Sequence, residues 1–254
     1  MSIIGEVFPN PTVKKVVFQI RFPNLFFIES KMGDIQIKIM NKFPESSLLF
    51  RRQVLVADFG PKTDFDKIKE EGQETSQKIW NFRNNNGIEL NILNNALDIS
   101  SSFHKTYDIE GPDEKFRDVI KFVLDVFLEI TKIPLITRIG FRYIDECPLP
   151  SKDNDTFSSF YNSCFPIGRF PINNADEMEF KTVYDRGDCK IRYVESLQKK
   201  DNDYKLILDF DGFAENVDSI KYLDVTDKLH EVICKEFKAT IKEPVYEYMR
   251  YKKV

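Results

Sequence analysis

Runs in which apolar and polar residues alternate recur along this chain, and short turn signals separate them. In Val13–Phe22, Val16, Phe18, Ile20 and Phe22 take one face, and Val17, Gln19 and Arg21 take the other. A period of two marks a strand with one buried side. Phe50–Phe59, Lys78–Phe82, Ile88–Ile92, Ala96–Ser101, Leu135–Asp145, Glu179–Tyr184, Lys190–Leu197 and Tyr204–Phe210 also read as strands. Asn84-Asn85-Asn86-Gly87 closes on Asn-Gly, whose residues tolerate positive φ, so residues 78–101 read as a meander. Strands with one wet face and hairpin turns pair antiparallel.

Helices enter one at a time between these runs. Ile28, Met32, Ile35, Ile39 and Phe43 form a stripe at helical spacing, with Pro44 as its stop. Pro112–Ile130 is the clearest helix: Phe116, Val119, Ile120, Val123, Leu124 and Phe127 line one side, and Pro112, Asp113 and Glu114 suit its first turn. Thr226–Ile241 carries Leu229, Ile233, Phe237 and Ile241 as a stripe, with Asp224 or Thr226 as cap and Pro244 after its end. Asp64–Ser76 is polar and reads as a loop or short helix. The fold expected is α+β, a mostly antiparallel sheet with three main helices in two ferredoxin-like halves. Residues 1–147 form a β-α-β-meander-α-β half, 148–175 an irregular loop, and 176–254 a βββα half packed on the first. Phe is abundant (23 of 254 residues) beside 10 Gly and 12 Pro, which points to a large aromatic core with few loops.

Composition narrows the chemistry. Lys and Arg number 37 against 41 Asp and Glu, a net charge of −4. Affinity for nucleic acid that rests on phosphate neutralisation needs a basic excess, so a nucleic-acid partner is not favoured. Cys147, Cys164, Cys189 and Cys234 contain no Cys-x-x-Cys pair, and His104 and His230 cannot hold a metal by themselves, so no metal or cofactor is expected. Phosphate loops, His-Glu-x-x-His and EF-hand patterns do not occur. Met1–Pro9 has no basic start or long apolar run, and no stretch of about 18 apolar residues occurs, so the expected compartment is the cytoplasm, with no membrane partner.

Three constellations have a functional reading beside a plain one. Arg138 and Arg142 share a strand face with Gly140 between them, their α-carbons roughly 13 Å apart. With Arg21 on a neighbouring strand they form a candidate anion- or partner-binding site; the plain reading pairs each arginine with a local acid. Phe157, Phe160, Tyr161, Phe165, Arg169 and Phe170 cluster in the irregular segment as a candidate partner-binding loop; the plain reading packs them on the sheet. Asp209-Phe210-Asp211-Gly212-Phe213 resembles the aspartyl nucleophile loop of haloacid-dehalogenase phosphatases, in which one carboxylate attacks phosphorus and a second handles the leaving-group proton. Too little chain follows for the remainder of such a sheet, and the plain reading is a strand end whose acids face solvent and cap a turn. Neither histidine has a catalytic context: His104 follows Ser100-Ser101-Ser102 without a Gly-x-Ser-x-Gly elbow, and His230 reads as a boundary position.

Several segments together carry a family resemblance. They are Pro9-Asn10-Pro11-Thr12 before a strand ending Ile20-Arg21-Phe22-Pro23; Trp80-x-Phe82 before the Asn-Gly turn; Arg138-Ile139-Gly140-Phe141-Arg142-Tyr143-Ile144; and Leu208-Asp209-Phe210-Asp211 before a helix with Leu229-His230. The chain resembles a sporadically distributed, uncharacterised family of prokaryotic proteins of about 250 residues with an Arg-Ile-Gly-x-Arg-Tyr-Ile motif. Phe141 stands where that family has leucine. The resemblance implies no catalytic residues; the family's patchy distribution implies defence-linked gene neighbourhoods. The function expected is a non-catalytic protein-interaction or regulatory subunit, an accessory component of a prokaryotic antiviral defence system of CRISPR-like or other type, with a protein partner. The alternative is an RNA-binding or RNA-processing protein of the ferredoxin-like, repeat-associated type.

Overall fold

The structure, a computed structural model, describes residues 7–53, 75–109, 114–200 and 203–251. Nine strands form one sheet: β1 (Val13–Arg21), β2 (Glu45–Gln53), β3 (Thr75–Arg83), β4 (Glu89–Ile92), β5 (Ala96–Ser101), β6 (Leu135–Cys147), β7 (Met178–Asp185), β8 (Lys190–Lys200) and β9 (Asp203–Asp218). Their order is β2-β3-β4-β5-β1-β6-β9-β8-β7, and each neighbouring pair is antiparallel. The alternating pattern explains this: every central strand has an apolar face to bury and a polar face to leave wet.

Among the described residues five helices accompany the sheet: α1 (Ile28–Ile39), α2 (Phe116–Thr131), α3 (Asn154–Phe160), α4 (Tyr222–Thr240) and α5 (Glu243–Arg250). The helical stripes Ile28, Met32, Ile35 and Ile39 of α1 and Phe116, Val119, Ile120, Val123, Leu124 and Phe127 of α2 are all buried. They join Val16, Phe18 and Ile20 of β1, Leu97 and Ile99 of β5, and Ile139 and Phe141 of β6 in one core. Burying each such side chain is worth about 1.5–3 kcal/mol, so this layer carries most of the stability. β1 and β6 form the seam. β1 pairs with β5 on one side and β6 on the other, while β6 pairs with β1 and β9. Each side of the seam runs strand, helix, meander, helix, with four meander strands in the first and three in the second.

Several expectations change. Among the described residues there are five helices where three main ones are expected. Pro244 does not merely terminate a helix; it sits in the first turn of α5, where its missing N–H costs nothing. Neither proposed cap serves α4, which starts at Tyr222, and Thr226 lies inside it, donating its hydroxyl to the Tyr222 carbonyl. β9 does not stop at Phe210 but continues to Asp218. Asp211-Gly212 reads locally as a turn. Instead Gly212 lies where α4 crosses the sheet: a Cβ there would stand 3.2 Å from Ile233 Cδ1. The Asn-Gly turn is as expected, with Gly87 at φ +73° and Asn84 Oδ1 accepting from the N–H groups of Asn86 and Ile88. The strand expected over 50–59 is seen to Gln53, and its remainder, residues 64–74 of the polar stretch, and Pro112 and Asp113 lie outside the described residues.

Candidate functional site

Two places concentrate polar chemistry, one on each face of the sheet. The core and the described helices occupy one face; the other presents the polar half of each alternating strand. Cross-strand register lines these side chains into a row. Ser47 Oγ donates to Asn81 Oδ1 (3.3 Å), Asn81 Nδ2 to Asn91 Oδ1 (2.8 Å), and Asn91 Nδ2 to Asp98 Oδ2 (3.0 Å). Gln19 continues the row opposite Asp98 and accepts from Arg21 Nε (3.2 Å) and Arg138 Nη1 (3.5 Å). A trough of about 690 Å³ runs over β1 and β3–β5, lined by asparagine, glutamine and arginine side chains among others.

The candidate arginines meet on this face. Arg21 stands directly opposite Arg138 across β1 and β6. Arg142 makes a fork on Asp209, through Nε (2.7 Å) and Nη2 (2.6 Å). Arg138 Nη2 reaches both oxygens of Asp211 (3.0 and 2.9 Å). The space above Gly140 is not open to an anion, because the Arg138 guanidinium lies there. A Cβ at Gly140 would come 2.5 Å from Nη1. The same guanidinium is 4.6 Å from the Phe213 ring centroid. Each of these two guanidinium charges therefore has a carboxylate partner already, which removes most of the attraction for phosphate. Asp209 and Asp211 lie mid-strand in these pairs, not at a solvent-facing strand end.

The irregular segment is better ordered than its composition implies. Asp153 caps α3 by accepting from the Thr156 N–H (2.8 Å). Phe157, Tyr161, Phe165 and Ile172 are buried in the core. Glu195 of β8 holds the following loop, accepting from the Cys164 N–H (3.0 Å) and from the Ser163 hydroxyl. Phe157, Tyr161 and Phe165 are thus packing residues and not a partner surface. Phe160 is half-buried, and Phe170 is exposed with Arg169 stacked 5.0 Å from its ring.

The second place lies under the helices. A cavity of about 80 Å³ separates β6 and β9 from α4, closed by residues 7–13 and 105–109 and by Met249 of α5. Tyr143 and Asp145 reach it from the covered face of β6; His230 and Cys234, one turn apart, reach it from α4. Tyr143 Oη is 3.3 Å from His230 Nδ1, Cys234 Sγ is 3.6 Å from the same ring, and Asp108 Oδ1 is 3.7 Å from Nε2. Tyr107 stacks on the histidine at 4.7 Å. Asp145 is 2% exposed and accepts from the Thr12 hydroxyl at 2.8 Å. Asp108 Oδ1 is buried with no hydrogen-bond donor. Burial pushes the Asp145 carboxyl up to about 7 and the Cys234 thiol up to about 12, and it pushes the His230 imidazole below its ordinary value. A neutral thiol beside a neutral imidazole is a poor nucleophile. Among the described residues no group of three His, Cys, Asp or Glu side chains has a geometry that could hold a metal ion.

The convergence of acids, a histidine and a cysteine departs from the sequence reading, which put His230 at a boundary and left the cysteines as isolated residues. Two signals were available: His230 and Cys234 are one helical turn apart, and Asp145 falls on the same face as Phe141 and Tyr143 by alternation. Thr12 and Asp108 lie in connecting segments and carried no signal. His104, by contrast, is structural. It is buried, bonded through Nδ1 to Ser101 Oγ (2.9 Å) and through Nε2 to the Glu114 carbonyl (2.8 Å). No protein-family model and no curated protein matches the chain.

Proposed function

We propose that this chain is a non-catalytic protein-interaction or regulatory subunit that recognises its partner through the sheet face that no described helix covers. The observation that supports this reading is the row of polar side chains from Ser47 to Arg138, hydrogen-bonded from Ser47 to Asp98 and again from Gln19 to Arg138, which presents polar groups over six strands. Preorganised side chains lose little entropy on binding, so such a face suits specific recognition. Arg138 and Arg142 are positioned partner-binding residues whose forks are already oriented by Asp211 and Asp209. The same pairs make RNA the weaker reading, because phosphates would have to displace carboxylates. Among the described residues no helix is long and apolar enough to cross a membrane.

The first side of the seam is read as a ferredoxin-like plan widened by two strands, with β6 in the place of its last strand. The resemblance to a sporadically distributed prokaryotic family supplies the setting, an accessory component of a defence system. The test is co-purification from the native host at native expression level. Wild type is compared with Asn91→Arg on the uncovered face and with Lys31→Glu on exposed α1. Wild type and the α1 variant are expected to retain a stoichiometric protein partner that Asn91→Arg loses while keeping a cooperative unfolding transition. Equal recovery by all three, or no stoichiometric partner with wild type, overturns the reading.

A further inference from the structure

The cavity beneath α4 poses a question that a partner surface does not answer. Its walls are mainly apolar and aromatic, yet two carboxylates line it with few donors. Asp145 has the Thr12 hydroxyl as its hydrogen-bond donor, and Asp108 Oδ1 has no hydrogen bond, with the neutral His230 ring 3.7 Å away. Tyr107 donates its one hydroxyl proton to Asp227, and Arg117 forks onto the same carboxylate. The Lys105 ammonium lines the same cavity but donates to the carbonyls of Val13 and Ser102. A buried carboxylate without a donor is costly, and a wall of this sign repels carboxylates and phosphates. The rings of Tyr107, Tyr143 and Phe210 line the same cavity, and aromatic rings attract positive charge through their quadrupoles.

We propose that this cavity binds a small organic ammonium ion, with its N–H groups donating to Asp145 and Asp108 and its alkyl part against Phe210 and Ile233. Size follows from volume. A dry cavity of about 150 Å³ holds benzene, so about 80 Å³ suits roughly three or four heavy atoms. Methylammonium to propylammonium fit; an octyl chain does not. The ligand and the partner surface lie on opposite faces of the sheet, so this inference stands apart from the proposed function.

Calorimetric titration of the full chain at pH 8 tests it, with ethylammonium chloride as probe and ethanol, potassium chloride and octylammonium chloride as controls. Ethylammonium is expected to give a saturable one-site heat, and the three controls none. Asp145→Asn and Asp108→Asn should each weaken binding tenfold or more; Asp108 is partly exposed, so its variant stays informative even if the other folds poorly. No saturable heat with ethylammonium, an equal response to ethanol, or wild-type affinity in Asp108→Asn means that the cavity holds water alone. Octylammonium binding as tightly as ethylammonium places the site on the surface. Each of these results overturns the proposal.

Discussion

Asp145 makes a stability measurement that reads the interior directly. Its carboxyl sits on the covered face of β6 and titrates at about 7 in the fold, against an ordinary 3.8, because burial outweighs the Thr12 hydrogen bond. Between those two values the native state holds a proton that the unfolded chain has released. Stability is therefore fully present below about pH 4 and falls as pH rises through 7. At about 1.4 kcal/mol for each pH step, the loss approaches about 4 kcal/mol. Asp145→Asn removes the titration and keeps an oxygen for the Thr12 hydroxyl. Urea unfolding of both proteins from pH 4 to pH 8 isolates the effect, because other titrating groups cancel in the difference. The variant is expected to match wild type near pH 4 and to exceed it at pH 8 by up to about 4 kcal/mol. Parallel pH profiles, or a variant that loses ground as pH rises, would refute the reasoning.

Other perturbations probe the close contacts. Gly212→Val places branched carbons where α4 approaches β9 and should destabilise by about 1–3 kcal/mol in urea titration, with Gly212→Ala milder because the Ile233 terminus can shift. Arg138→Ala leaves the largely buried Asp211 carboxylate without its hydrogen-bonded partner, at a cost of about 1–3 kcal/mol; Arg138→Leu with Asp211→Leu should recover most of it in a double-mutant cycle. Cys164 is exposed while Cys147, Cys189 and Cys234 are buried, so a thiol reagent should titrate one cysteine in native protein and four in urea. Several thiols reacting at the same rate in native protein would contradict the burial.

Local pattern and long-range geometry divided the labour in this protein. Strand identity, the meander after Asn86-Gly87, the stripes of α1, α2 and α4, and the antiparallel α+β class were legible, because period and turn chemistry are properties of neighbouring residues. Burial of Phe157, Tyr161 and Phe165 was not, since aromatics in a polar segment look alike whether they meet a partner or the core. Gly212 read as a turn because only the approach of α4 distinguishes a tight crossing from a chain reversal. The arginine pairs needed the β6–β9 register, and the cavity needed Thr12 to meet Asp145 and Asp108 to meet His230 across more than a hundred residues of chain. Sequence alone determined which faces are apolar, because periodicity sets how side chains alternate. Only the tertiary structure decided which polar groups face one another and which are buried without a partner, because desolvation and pairing depend on distance in space and not on separation along the chain.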